Sequence, residues 1–169
     1  ALAVAPNEEY VLVQAPHGQA QERLILAKAR KDAVLGPEWE ELTTVGGKDL
    51  MGLYYEAPYN TAEPTYLHQV VTADYVSMDD GTGIVHTAPA YGAEDLELGK
   101  AYSLPTVHTV DLQGNLTHEG LPGTGKFVKE ADEDIMRDLQ ERGLLYRRET
   151  IRHTYPFCWR CDSPLLYYA

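Results

Sequence analysis

With 169 residues, 44% hydrophobic and 24% charged, the chain has the size and composition of one soluble globular domain and is short for two. No apolar run approaches the roughly 20 residues of a membrane helix, and the opening ALAVAPNEEY lacks the basic region of a signal peptide, so no membrane partner is expected. A net charge of -12 argues against a domain that grips nucleic acid unaided, and two Cys in a single C-x-x-C exclude a disulfide framework and favour a reducing, cytoplasmic setting.

In chain order, residues 10–14 (YVLVQ) and 23–27 (RLILA) read as strands joined through an APHG turn. Residues 28–35 form a short helix candidate stopped by Gly36-Pro37, and 42–45 a strand before Gly46-Gly47. Residues 51–55 and 66–76 carry the aromatic and β-branched side chains that favour strands. Residues 79–83 (DDGTG) have turn chemistry, and 84–87 continue the sheet beyond it.

Residues 93–102 (AEDLELGKAY) read as a helix whose first turn is acidic, as the macrodipole favours. Residues 106–112 and 116–118 flank Gln113-Gly114-Asn115 as a hairpin. The clearest helix is 128–142: Val128, Ala131, Ile135 and Leu139 make one stripe, with Gly143 placed to end it. The tail from 144 is strand-like, interrupted by the Cys pair. The pattern predicts a mainly β chain with peripheral helices (α+β) around a barrel-like core. Regular βαβ alternation is missing, which rejects a doubly wound sheet.

The chemistry-bearing residues are few. There is no G-x-S-x-G, H-E-x-x-H, P-loop or G-x-G-x-x-G, and the six His lack metal-ligand spacing. Arg142, Arg147, Arg148, Arg152 and Arg160 crowd the C-terminal stretch, either as a solvated basic face or as a local contact for a polyanion. Cys158 and Cys161 in CWRC fit half of a four-Cys zinc site or a redox pair; Pro156 and Pro164 make the redox setting poor. In GTGIVHTAPAYGAED, glycines 81 and 83 read first as turn residues. His86 and Asp95 stand at the ends of one loop, either as a strand histidine and a dipole partner, or as the wall and rim of a small pocket.

GTGIVHTAPAYGAEDLELGKAY together with HTYPFCWRCDSPLLYYA closely resembles the inserted editing (CP1) domain of bacterial-type isoleucyl-tRNA synthetase, over essentially the whole chain. The resemblance implies one editing domain over 1–169, a distorted β-barrel, with 153–169 leading back to the synthetase body. It implies hydrolysis of Val-tRNA(Ile), and of valyl-adenylate. Asp95 matches the residue that holds the α-ammonium, and His86 the one that closes the side-chain pocket against isoleucine. Gly81, Thr82 and Gly83 match the loop beside the terminal adenosine, and Ile84 follows on the same strand. Cys158 and Cys161 match half of a structural zinc site completed upstream, so editing itself needs no cofactor and zinc belongs to the full-length parent.

A Thr-rich segment that lines the family's pocket is not in this chain, so a catalytically inert binding fragment stands as an alternative. The valyl-tRNA synthetase editing domain is the other. The implied partners are the 3′ end of tRNA(Ile) carrying valine, valyl-adenylate and the rest of the synthetase. A pocket that accepts isoleucine rejects valine only weakly, by about 1–3 kcal/mol per methylene, a limit for which isoleucyl-tRNA synthetase is itself the standard example. A second, smaller pocket that hydrolyses the valyl product needs a wall, an ammonium anchor and a placed water. It needs no nucleophilic side chain.

Overall fold

The computed structural model describes residues 1–16, 22–63, 65–150, 157, 159–160 and 165–168. They form two compact units, Ala1–Glu56 with Leu67–Thr87, and Ala57–Tyr66 with Ala88–Ala169.

The first unit is built on β2 (Glu9–Gln14), the middle strand of a three-stranded antiparallel sheet between β3 (Arg23–Ala27) and β4 (Glu40–Gly46). Alternation sends Val11 and Val13 to one core with Leu26, Leu35 and Trp39, and Tyr10 to another with Val4, Ala27 and Leu50. A strand buried on both faces reads as a continuous apolar run, which is why YVLVQ is legible.

A second sheet has the order β5 (Tyr54–Tyr55), β6 (His68–Thr72), β1 (Leu2–Val4), β7 (Ile84–His86). β1, which the pattern did not single out, runs parallel to β6 and antiparallel to β7. Residues 28–35 are helical as expected, a 3-10 turn (Lys28–Arg30) running into α1 (Lys31–Val34), with Gly36 at φ +91° after it. Gly46-Gly47 is more than a break. It opens a helical turn, α2 (Gly47–Leu50), and a Cβ on Gly47 would collide with the Ala5 carbonyl.

The second unit carries α3 (Ala93–Tyr102) and α4 (Val128–Glu141), which match the expected helices. Ala131 of α4 packs with Val110 and Leu116, flanked by Tyr91, Leu121, Val128 and Ile135. The expected hairpin at 106–118 is present but short: Val110 faces Leu116 in an antiparallel bridge, the Thr117 N–H donates to Thr109 O at 2.8 Å and the Asp111 N–H to Asn115 O at 2.9 Å, and a further bridge joins Asn115 to Phe127. Asp111 shapes its turn. Its Oδ1 accepts the N–H groups of Gln113 and Asn115, both at 2.9 Å. Those bonds, the Asn115 N–H foremost, hold the Asp111 carboxyl below its usual range.

Residues 144–150 and 165–168 form no strand, so the strand-like tail is corrected where it is described; residues 144–150 are mostly exposed, and the Leu144 and Leu145 N–H groups turn back to Leu139 O. The architecture is the mainly β, α+β one expected. The barrel is distorted, its four- and three-stranded sheets standing as separate sheets among the described residues.

Candidate functional site

Gly81-Thr82-Gly83 closes the turn into β7. Gly81 has φ +56° and Gly83 φ +71°, the left-handed region that favours glycine. Gly83 also has no room for a side chain, because a Cβ there would collide with that of Ala27. All three carbonyls are claimed. The Arg30 Nε donates to Gly81 O at 3.1 Å, the Ala27 N–H to Thr82 O at 2.8 Å, and the Tyr10 hydroxyl to Gly83 O at 2.7 Å. The Tyr10 hydroxyl in turn accepts the Ala5 N–H at 2.8 Å, and burial pushes its pKa up. The N–H groups of Gly81 and Thr82 find no acceptor among the described residues.

Ile84 and His86 share one face of β7, opposite Val4 and Leu2 of β1. Ile84 packs onto the cluster of Val4, Tyr10, Ala27 and Leu50, whereas His86 is exposed at the strand's end. Thr87, which follows, is only 2% exposed, and its hydroxyl has no hydrogen-bond partner among the described residues. Its N–H donates to Ala1 O at 2.9 Å. Nothing in HTAP singled it out. A buried hydroxyl without a partner costs free energy and commonly marks a functional setting.

Asp95 belongs to the second unit, in the first turn of α3, where the helix dipole favours a carboxylate. Its Oδ2 accepts the Ala88 N–H at 3.0 Å. Gly92, the residue before α3, gives it space, since a Cβ there would lie 2.9 Å from that oxygen. His86 and the Gly81–Gly83 loop thus belong to the first unit and Asp95 to the second, each held by bonds within its own unit.

The basic stretch is laced with carboxylates. Arg142 donates to Asp138 at 3.0 Å and to Pro58 O at 2.8 Å; Arg148 meets Glu133 at 3.1 Å, and Arg147 pairs with Glu149. Tyr59 donates to Asp138 at 2.6 Å. Burial first, then that bond, pushes the Tyr59 pKa up to about 12, while the Tyr59 and Arg142 donors hold the Asp138 carboxyl low. This is the pattern of a solvated face. Arg160 lies over the Trp159 ring at 4.9 Å, and Arg152 is outside the described residues.

Among the described residues no three His, Cys, Asp or Glu side chains converge as a metal site; Cys158 and Cys161 lie outside them. No helix among them is long and apolar enough to cross a membrane.

No protein-family model matches the chain. Over its whole length it is 47% identical to an isoleucine–tRNA ligase of Dehalococcoides mccartyi, covering 18% of that protein. It is 46% identical to isoleucine–tRNA ligase 2 of Bacillus cereus and 48% to the isoleucine–tRNA ligase of Thermus thermophilus, covering 16% of each. The chain therefore spans about a sixth of the length of the curated relatives it matches. The crystal structure of GlLeuRS-CP1 overlaps 59% of this chain and 36% of its own, with a TM-score of 0.48 and 23% identity. The resemblance carried by the two motifs extends over the whole chain.

Proposed function

We infer that this chain, alike from end to end to one segment of isoleucine–tRNA ligases, is the editing domain of such an enzyme and removes valine from mischarged tRNA(Ile). The observation that carries the reading is full-length identity of 46–48% to three isoleucine enzymes, with a chain that has its own folded core. Residues 1–169 act as one editing domain; the tRNA 3′ end, valyl-adenylate and the rest of the synthetase are its partners.

In this reading the Asp95 carboxylate, set by the Ala88 N–H, pairs with the α-ammonium of the aminoacyl group. His86 bounds the side-chain pocket and takes the volume that the extra methylene of isoleucine needs. The Gly81–Gly83 loop lies beside the terminal adenosine. Water supplies the nucleophile: its oxygen bonds to the ester carbonyl carbon, the bond to the ribose oxygen breaks, and a proton from the water ends on that oxygen. No metal takes part. Cys158 and Cys161 offer two of the four ligands that close a structural zinc site.

Deacylation of Val-tRNA(Ile) and Ile-tRNA(Ile), by this chain and by the full-length enzyme, tests the reading. Wild type should release valine and spare isoleucine. Asp95→Ala should lose about 1.5–3 kcal/mol of ammonium recognition, a fall of roughly 10–150-fold, and a change within about twofold refutes the anchor. His86→Ala should begin to hydrolyse Ile-tRNA(Ile) and keep most activity on Val-tRNA(Ile). Loss of both by roughly 100-fold would make His86 a general base instead. A full-length enzyme that edits beside a chain that only binds tRNA would make this chain a binding module.

A further inference from the structure

Arg30 ends the 3-10 turn after β3 and aims its guanidinium at the loop of residues 79–83. Nε donates to Gly81 O at 3.1 Å and Nη1 to Asp79 O at 2.9 Å. Asp79 and Asp80 are close in sequence, yet Arg30 pairs with no carboxylate among the described residues. A planar, pre-organised fork of donors suits two carbonyls two residues apart.

The three loop carbonyls are not equally secured. Gly83 is wedged against Ala27 and bonded by the buried Tyr10 hydroxyl, and Thr82 is bonded by the backbone of Ala27. At Gly81 a side chain would meet nothing within 4 Å, so packing does not hold it in its left-handed conformation. The Arg30 bond does. With the carbonyls tied down, the N–H groups of Gly81 and Thr82 are left as a pair of unspent donors.

We propose that Arg30 is a positioning residue of the editing site: it fixes Gly81 so that the N–H groups of Gly81 and Thr82 stand ready for acceptor atoms of the 3′-terminal nucleotide. The proposal rests on the editing reading for its ligand and on the Arg30 bonds for its mechanism. Arg30 touches no substrate atom. Its removal leaves the chemistry intact and loosens the place where the nucleotide sits, which appears in KM and spares kcat.

The test uses this chain and the full-length enzyme, each as wild type, Arg30→Ala and Arg30→Lys. Amide resonances and hydrogen exchange at Gly81 and Thr82 report the loop, and binding of a non-hydrolysable 3′-valylamino-adenosine reports the site. Arg30→Ala should move those amides, speed their exchange, weaken the analogue and raise KM for Val-tRNA(Ile) by about tenfold, with kcat within about twofold. The melting temperature of the chain should hold. Arg30→Lys, restoring the charge and one bond, should fall between.

Arg30→Ala that leaves the Gly81 and Thr82 amides in place overturns the positioning role, whatever wild type does with the analogue. So does Arg30→Ala that moves the amides without changing analogue binding or KM, and so does a uniform fall in kcat. Wild type that neither binds the analogue nor deacylates, in either form, instead sinks the editing reading.

Discussion

Gly81-Thr82-Gly83 and Gly123-Thr124-Gly125 are the same tripeptide used in opposite ways. At the first, side chains and backbone from elsewhere in the unit take the three carbonyls, and the N–H groups of Gly81 and Thr82 stay unspent among the described residues. At the second, the N–H groups close the turn: Thr124 donates to Leu121 O at 3.3 Å and Gly125 to Leu116 O at 2.8 Å. The Thr124 hydroxyl reaches His118 O at 2.6 Å and Leu121 O at 2.7 Å.

Gly120 to Lys126 even follows the spacing of a phosphate loop ahead of a helix, yet Phe127 stands where Ser or Thr would hold a metal. Lys126 is spent as well, on Asp134 at 2.5 Å. A glycine motif carries chemistry only where its N–H groups remain unpaired. By that measure the first turn has the donors that the proposed site needs, and the second is scaffolding.

The largest expected effects are on stability, and they should be alike in the two turns. Each has one wedged glycine, Gly83 against Ala27 and Gly123 with its missing Cβ 2.8 Å from that of Ala131, and both have positive φ. Gly83→Ala and Gly123→Ala should each lose on the order of 3 kcal/mol, combining a left-handed alanine with an overpacked contact. Gly81 and Gly125 meet nothing within 4 Å, so alanine there should cost about 1–2 kcal/mol, from backbone strain alone. Urea unfolding of the four variants measures this. A Gly81→Ala as costly as Gly83→Ala would show that packing holds Gly81 after all, and would weaken the case for Arg30.

Much of this was legible in the sequence, for local reasons. β3 and α3 carry their own signals, an apolar run in RLILA and an acidic first turn in AEDLELGKAY, and both fall where expected. β1 is three residues long and exists through partners 68 and 84 positions away, Val70 and His86 for Leu2, which no local pattern announces. The hairpin at 106–118 is shorter than its pattern suggests, with the Asp111 side chain taking the Gln113 and Asn115 N–H groups at its turn. His86 and Asp95 were singled out through their motif. Arg30, Tyr10 and Thr87 were not, because Arg30 and Tyr10 act on carbonyls 49 to 73 residues away and Thr87 stands out only once its burial is known.

The threonines separate the turns next. Thr124→Ala deletes a hydroxyl with two close backbone acceptors and should cost about 1 kcal/mol. Thr82 has contacts at 3.4 Å only, to Ile84, so Thr82→Ala should stay within about 0.5 kcal/mol of wild type. Chemical denaturation compares them directly. If Thr82→Ala is the costlier of the two, the first turn depends on its hydroxyl for structure, as the second does.

The smallest effect is in acid, and it should touch only the second turn. The Lys126 ammonium bonded to Asp134 is the main cause holding that carboxyl below its usual range; the charge of Lys126 and then that of Arg137 add to it, and partial burial opposes them. A carboxyl depressed in the folded state contributes stability that is full above its unfolded value, about 3.9, and drains away as pH falls through the lower folded value. The bonds of Arg30 have carbonyls as acceptors, which do not titrate in that window. Taking the chain from neutral pH to below about 3 should therefore loosen Gly123–Lys126 and leave Gly81–Gly83 as it was. Amide chemical shifts of Gly81, Thr82, Gly125 and Lys126 followed through the titration would show it. Asp134→Asn should bring Gly125 and Lys126 to their acid positions already at neutral pH. Equal movement of both turns, or none at Gly125 in wild type, would mean that the Lys126–Asp134 pair does not hold the second turn closed.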